Sequence, residues 1–129
     1  MPVTRGTFDV TIESEPVFSD ESGIKLTRNI VRKEFSGGMN GSSEAQMVAA
    51  HTATPGSAGY VAIEHFTGSV DGRSGSLVLQ HHGLMDKGEA TLTVTIIPDS
   101  GTGELAGISG SIEIDQDNGK HSYVLEYER

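Results

Sequence analysis

The stretch GYVAIEHFTGSVDGRSGSLVLQHHG, residues 59–83, decides the fold. Asp71-Gly72 lies at its centre, with alternating residues on both sides. An Asp-Gly pair in that setting is a strong hairpin signal, because both central residues of a type I′ turn need positive φ. A two-residue turn there sets Val70 opposite Arg73. Pairing then runs back through Phe66–Leu77, Glu64–Leu79 and Ala62–His81. One face carries Tyr60, Ala62, Glu64, Phe66, Leu77, Leu79 and His81. The other carries Val61, Ile63, His65, Val78, Gln80 and His82. The first face has the larger apolar side chains and is expected to point inward. Neighbours in a strand point to opposite faces, so His81 is expected inside and His82 outside.

The same alternation recurs outward from this hairpin. TFDVTIE (7–13) places Phe8, Val10 and Ile12 on one face. ATLTVTII (90–97) sets Leu92, Val94 and Ile96 against three threonines. SIEID (111–115) and HSYVLEYE (121–128) repeat the pattern, the latter with Tyr123, Leu125 and Tyr127 on one face. SSEAQMVAA (42–50) has helix-friendly residues, but glycine and serine crowd its start and threonine its end; it reads as a strand. Turn signals fall at 20–23, 37–41, 55–56, 71–72, 86–88, 98–103 and 117–119. They separate eight strands: 5–14, 24–36, 42–52, 58–70, 73–85, 89–98, 105–115 and 120–128. An open sheet of that length would expose its edges. Closure into an eight-stranded antiparallel up-and-down β-barrel removes them. The fold class is therefore all-β, with residues 1–129 as one β-barrel domain.

Composition narrows the function. The net charge is −9, which opposes binding to nucleic acid, and no basic cluster suggests an anionic membrane. With no cysteine, disulfides, thiolate nucleophiles and zinc–sulfur sites are excluded. The first residues lack the apolar run of a signal peptide, and no stretch is apolar enough for a spanning helix. A cytoplasmic protein is expected. No cofactor motif stands out. PDSGTGELAG (98–107) lacks the Gly-Lys-Ser/Thr ending of a phosphate loop, and reads as a wide turn.

The candidate site follows from the hairpin. Glu64 and His81 are diagonal neighbours on the inward face, roughly 7–8 Å apart at the backbone. Such a pair can hold a ligand, move a proton, or form a buried hydrogen bond with no chemistry. Tyr60, Phe66, Leu77 and Leu79 share that face. Tyr123 and Tyr127 are expected to line the same lumen, with His121 near its mouth. Lys33 alternates with Val31 and Phe35, a phase that points it inward towards a carboxylate such as Glu64. The opposite phase buries Leu26 and Ile30 and leaves Lys33 in solvent. His81, His121 and Glu64 together would give three metal ligands, but the spacing of a known metal motif is absent and no metal is expected.

The series AGYVAIEHFTGSVDGRSGSLVLQHHG, PDSGTGELAGISG and GKHSYVLEYE resembles the bacterial domain-of-unknown-function family 3224, in order and over nearly the whole chain. The resemblance implies an eight-stranded, calycin-like barrel similar to allene oxide cyclase. It implies no reaction. Matching motif positions include Glu64, Gln80, His81 and Asp99. It also brings in Gln46, where a glutamate is expected in several such sequences and an acid–base role would not transfer to this chain.

Three functions are weighed. The first is a barrel that binds a small apolar or amphipathic molecule in its lumen, oriented by Glu64 and His81. The second is a cyclase or isomerase, with Glu64–His81 as acid and base. The third is a filled barrel acting as a homo-oligomer through outward Val61, Ile63 and Val78.

Overall fold

The computed structural model describes residues 2–129. Alternation and turn chemistry produce nine strands: β1 (Val3–Ser14), β2 (Ser19–Glu21), β3 (Ile24–Gly37), β4 (Met39–His51), β5 (Ala58–Val70), β6 (Arg73–Asp86), β7 (Glu89–Ile96), β8 (Ser109–Asp117) and β9 (Lys120–Glu128). Eight of them close an antiparallel barrel in the order β1-β9-β8-β7-β6-β5-β4-β3, sealed by pairing of β1 with β3. The short β2 is an addition to the expected eight. It pairs with the first residues of β3, beyond the stretch that β1 occupies.

The Asp71-Gly72 hairpin has the expected register, with Val70 opposite Arg73 and Ala62 opposite His81. Both turn residues have positive φ, +48° and +84°, as a type I′ turn requires. Ala62, Glu64, Phe66, Leu77, Leu79 and His81 are buried, whereas Val61, Ile63, His65, Gln80 and His82 are exposed.

One boundary needs correction. The expected strand 105–115 begins only at Ser109. Gly103–Leu105 is a single 3-10 turn, and the segment bends inward to bury Leu105 and Ile108. Positive φ at Gly103 and Gly107 permits that path. The same loop covers the edge of β6 beyond the end of β7. The Ser76 amide donates to Thr102 Oγ1 (3.0 Å), and the Val78 amide donates to Ser100 Oγ (3.0 Å). The Thr102 amide donates to the Ser76 carbonyl (2.9 Å). Loop groups thus replace a missing strand as hydrogen-bond partners, and the edge is not left open.

This plug makes one end of the barrel solid. Phe35, Met39, Phe66, Val70, Leu77, Leu105 and Ile108 belong to one buried cluster. The Tyr123 hydroxyl accepts from the Met39 amide (2.8 Å) and lies 2.9 Å from the Ser36 carbonyl. Asp71 ties the same end together. Its carboxylate accepts from Thr4 Oγ1 (2.6 Å) and the Tyr127 hydroxyl (2.5 Å), and its amide donates to the Gly38 carbonyl (2.8 Å). β7 and β8 pair only at Val94–Ile112 and Thr95–Ser111, so towards the opposite end residues 89–93 of β7 do not pair with β8. Among the described residues, no helix is long and apolar enough to cross a membrane.

Candidate functional site: the half-open lumen

The interior is packed at the Asp71 end and hollow at the other. The hollow is a cavity of about 180 Å³. It exists because small side chains occupy the inward positions of the two strands behind it, Ala45 on β4 and Ala62 on β5. Larger neighbours form the rest of the apolar wall: Phe8 and Val10 on β1, Val31 on β3, Met47 on β4, Leu92 on β7 and Ile114 on β8. Ile12 and Leu92 have inward phase but stay 58 % and 43 % exposed, which marks this end as the mouth. The polar lining is Lys33, Tyr60, Glu64, His81 and His121.

Glu64 organises the polar groups. It is fully buried, and three donors converge on its carboxylate. Oε1 accepts from His81 Nε2 (2.6 Å) and from Lys33 Nζ (3.0 Å); Oε2 accepts from Ser43 Oγ (2.5 Å). Pairing across the sheet explains the convergence. Glu64 sits opposite Leu79 on β6 and Ala45 on β4, so His81 and Ser43 each lie one inward position away. Lys33 reaches in from β3, where it pairs with Ser43. Its ammonium lies 4.8 Å from the Phe8 ring centroid, a cation–π contact in the cavity wall.

Burial works against the Glu64 charge. The His81 hydrogen bond, the Lys33 charge, the Ser43 hydrogen bond and the His81 charge together outweigh it and lower Glu64 to about 2. The carboxylate is therefore ionised at neutral pH and can only accept, so Nε2 of His81 carries the hydrogen. Glu64 is thus a poor proton acceptor for chemistry. Its physical role is to orient His81 and hold a buried ammonium. Tyr60 lies nearer the mouth, packed over Gly83, where an added Cβ would fall 2.4 Å from the ring. Burial, then the Glu64 charge, raises the Tyr60 pKa, so its hydroxyl stays protonated at neutral pH.

The expected site residues divide into two groups. Tyr60, Glu64, His81, Lys33 and His121 come together at the cavity. The inward phase of Lys33 holds; it is 8 % exposed. Phe66, Leu77, Leu79, Tyr123 and Tyr127 face inward but belong to the packed cluster, outside the cavity lining. Alternation fixes the face of a residue, not its height along the barrel axis. Phe66 and Leu77 flank the Asp71 turn and so lie at the plugged end. Gln46 is exposed on the outer face, opposite Ile63, and has no place in the lumen. Ser43 is the polar partner that sequence reasoning missed. Its signal was present: Ser43, Ala45, Met47 and Ala49 alternate as one inward face, with small residues on either side of Met47. Among the described residues, no group of three His, Asp or Glu side chains is arranged to hold a metal ion.

The fold and site define a closed antiparallel barrel with a small lumen at one end, walled by apolar residues around a buried carboxylate cluster. The chain belongs to the DUF3224 family: the model of that family, described as a protein of unknown function, matches residues 4–127. The crystal structure of a DUF3224 protein of unknown function from Shewanella oneidensis MR-1 is similar at 40 % identity and a TM-score of 0.95. The likeness covers 99 % of this chain and 96 % of that one. No curated protein matches the chain.

Proposed function

We propose that the protein binds one small, largely apolar molecule in the open half of the barrel. The observation that carries this reading is the cavity of about 180 Å³ beside a carboxylate whose charge is already compensated. A space of roughly 150 Å³ lined by apolar groups accommodates benzene or xenon. Here the small inward residues Ala45 and Ala62 leave room of that order where bulkier residues would have filled it. Binding fits the polar groups better than acid–base catalysis by Glu64 does. A carboxylate lowered to about 2 and held by three donors is too weak a base to serve a cyclase or isomerase. The reading includes a cytoplasmic location, in keeping with a chain that has no cysteine. Xenon-pressurised crystals test the proposal. Xenon density between Ala45, Ala62 and Met47 is the expected result; a lumen without xenon would overturn it.

A second reading concerns the outer surface. Val48, Val61 and Ile63 are 41 %, 53 % and 48 % exposed on adjacent strands, and Val48 pairs directly with Val61. Apolar residues grouped on an outward sheet face suit contact with a second copy of the chain. Sedimentation of Val61→Glu against the wild type checks this: a dimer or larger assembly lost in the variant supports it, and a wild-type monomer at high concentration removes it.

A further inference from the structure

Resting on the lumen-binding reading, the polar wall also constrains what the ligand can be. Glu64 accepts from three donors and has little capacity left for another. Lys33 is in the opposite position. An ammonium has three N–H groups, and among the described residues only Glu64 accepts one of them. Its nitrogen lies in the wall of the cavity, 4.8 Å from the Phe8 ring centroid. Tyr60 adds a hydroxyl near the mouth. At Lys33 the spare hydrogen-bonding capacity is therefore that of a donor, since an ammonium has no acceptor.

Charge sharpens the constraint. Lys33 and Glu64 cancel as a pair. A carboxylate ligand would bring an uncompensated negative charge into a buried site of a chain with net charge −9. An ammonium ligand would meet Lys33. A hydroxyl could accept from Lys33 as well, but it must also place its own hydrogen, beside a carboxylate that already holds three donors. A neutral oxygen that only accepts meets none of these penalties.

We infer that the lumen selects a neutral molecule bearing a carbonyl group, a ketone or ester with an aromatic or short alkyl body, whose oxygen accepts a hydrogen bond from Lys33. The size of the cavity limits the part of such a molecule held inside the barrel to roughly the dimensions of a monosubstituted benzene.

Four probes of matched shape test this: acetophenone, ethylbenzene, benzoate and benzylamine. Affinities come from NMR titration of the methyl groups of Ala45, Ala62 and Met47. Acetophenone is expected to bind about tenfold more tightly than ethylbenzene, the effect of one hydrogen bond to a charged donor. Benzoate and benzylamine are expected to bind more weakly than ethylbenzene. Lys33→Met should bring acetophenone down to the ethylbenzene level. Because that variant also strips Glu64 of a partner, a measurement on the unaltered protein accompanies it: the carbonyl stretch of bound, isotope-labelled acetophenone. A shift to lower frequency than in an apolar solvent supports the inference, and an unshifted band overturns it. Ethylbenzene binding as tightly as acetophenone would overturn the carbonyl preference while leaving lumen binding intact. Failure of all four probes to reach the lumen methyls would overturn the binding reading itself.

Discussion

The two ends of the barrel use the same strands for opposite purposes. At the Asp71 end, Phe66, Leu77, Leu105 and Ile108 are each 1 % exposed or less, and a loop from outside the sheet completes the packing. At the other end, Ala45 and Ala62 occupy comparable inward positions, and among the described residues no bulkier side chain fills the space beside them. The packed end supplies the burial that holds the fold. The hollow end holds a buried ion cluster, which costs desolvation and returns little net stability unless every partner is present. A barrel can tolerate such a cluster because the plugged half supports it.

Substitutions that break the contrast should rank accordingly. Removal of the Glu64 charge has the largest effect at the hollow end. Glu64→Gln leaves the Lys33 ammonium buried without a counter-ion and should cost about 3–5 kcal/mol in urea denaturation. Phe66→Ala, at the packed end, should cost about as much, roughly 3–5 kcal/mol, but through loss of packing and creation of a void. Salt and pH separate the two causes, since only the first concerns charge.

The pH dependence has a definite sign. The Glu64 pKa is depressed in the folded chain, from the ordinary 4.5 to about 2. Its stabilisation is therefore complete above pH 4.5 and is lost as pH falls towards 2. The loss should approach about 3 kcal/mol, and the slope should flatten in Glu64→Gln. A wild-type acid profile as flat as that of the variant would show that the carboxylate is not held by its three donors.

Smaller effects should follow at the clasp and the mouth. Tyr127→Phe removes the hydrogen bond to Asp71 at the closed end and should cost about 1–2 kcal/mol by thermal unfolding. Leu92→Ala, half in solvent at the mouth, should cost less than about 1 kcal/mol, although the residue faces the same interior as Leu77. If Leu92→Ala proved as damaging as Leu77→Ala, the distinction between the two ends would fail.

The sequence was most legible where local chemistry dictates geometry. Asp71-Gly72 favours a type I′ turn, and that turn fixes the register of β5 against β6 and the opposite fates of His81 and His82. Height along the axis was not legible, because alternation carries no information about which end is plugged. That depends on Leu105 and Ile108 turning inward from a glycine-rich loop, a tertiary event. The phase of Lys33 had the same origin. Local alternation allowed Leu26 and Ile30 to be buried instead; Glu64, thirty-one positions away, decides the matter by accepting from the ammonium. Gln46 entered through resemblance alone, and its outward position follows from pairing with Ile63.

Native mass spectrometry of the protein purified from its own host, beside Ala62→Leu prepared the same way, tests the central claim most directly. Leucine at position 62 adds bulk to the inward face of the cavity at a residue outside the packed cluster. The account predicts one small molecule per chain in the wild type, released on denaturation and missing from the variant. The same molecule at the same occupancy in Ala62→Leu would place it outside the lumen and contradict the account.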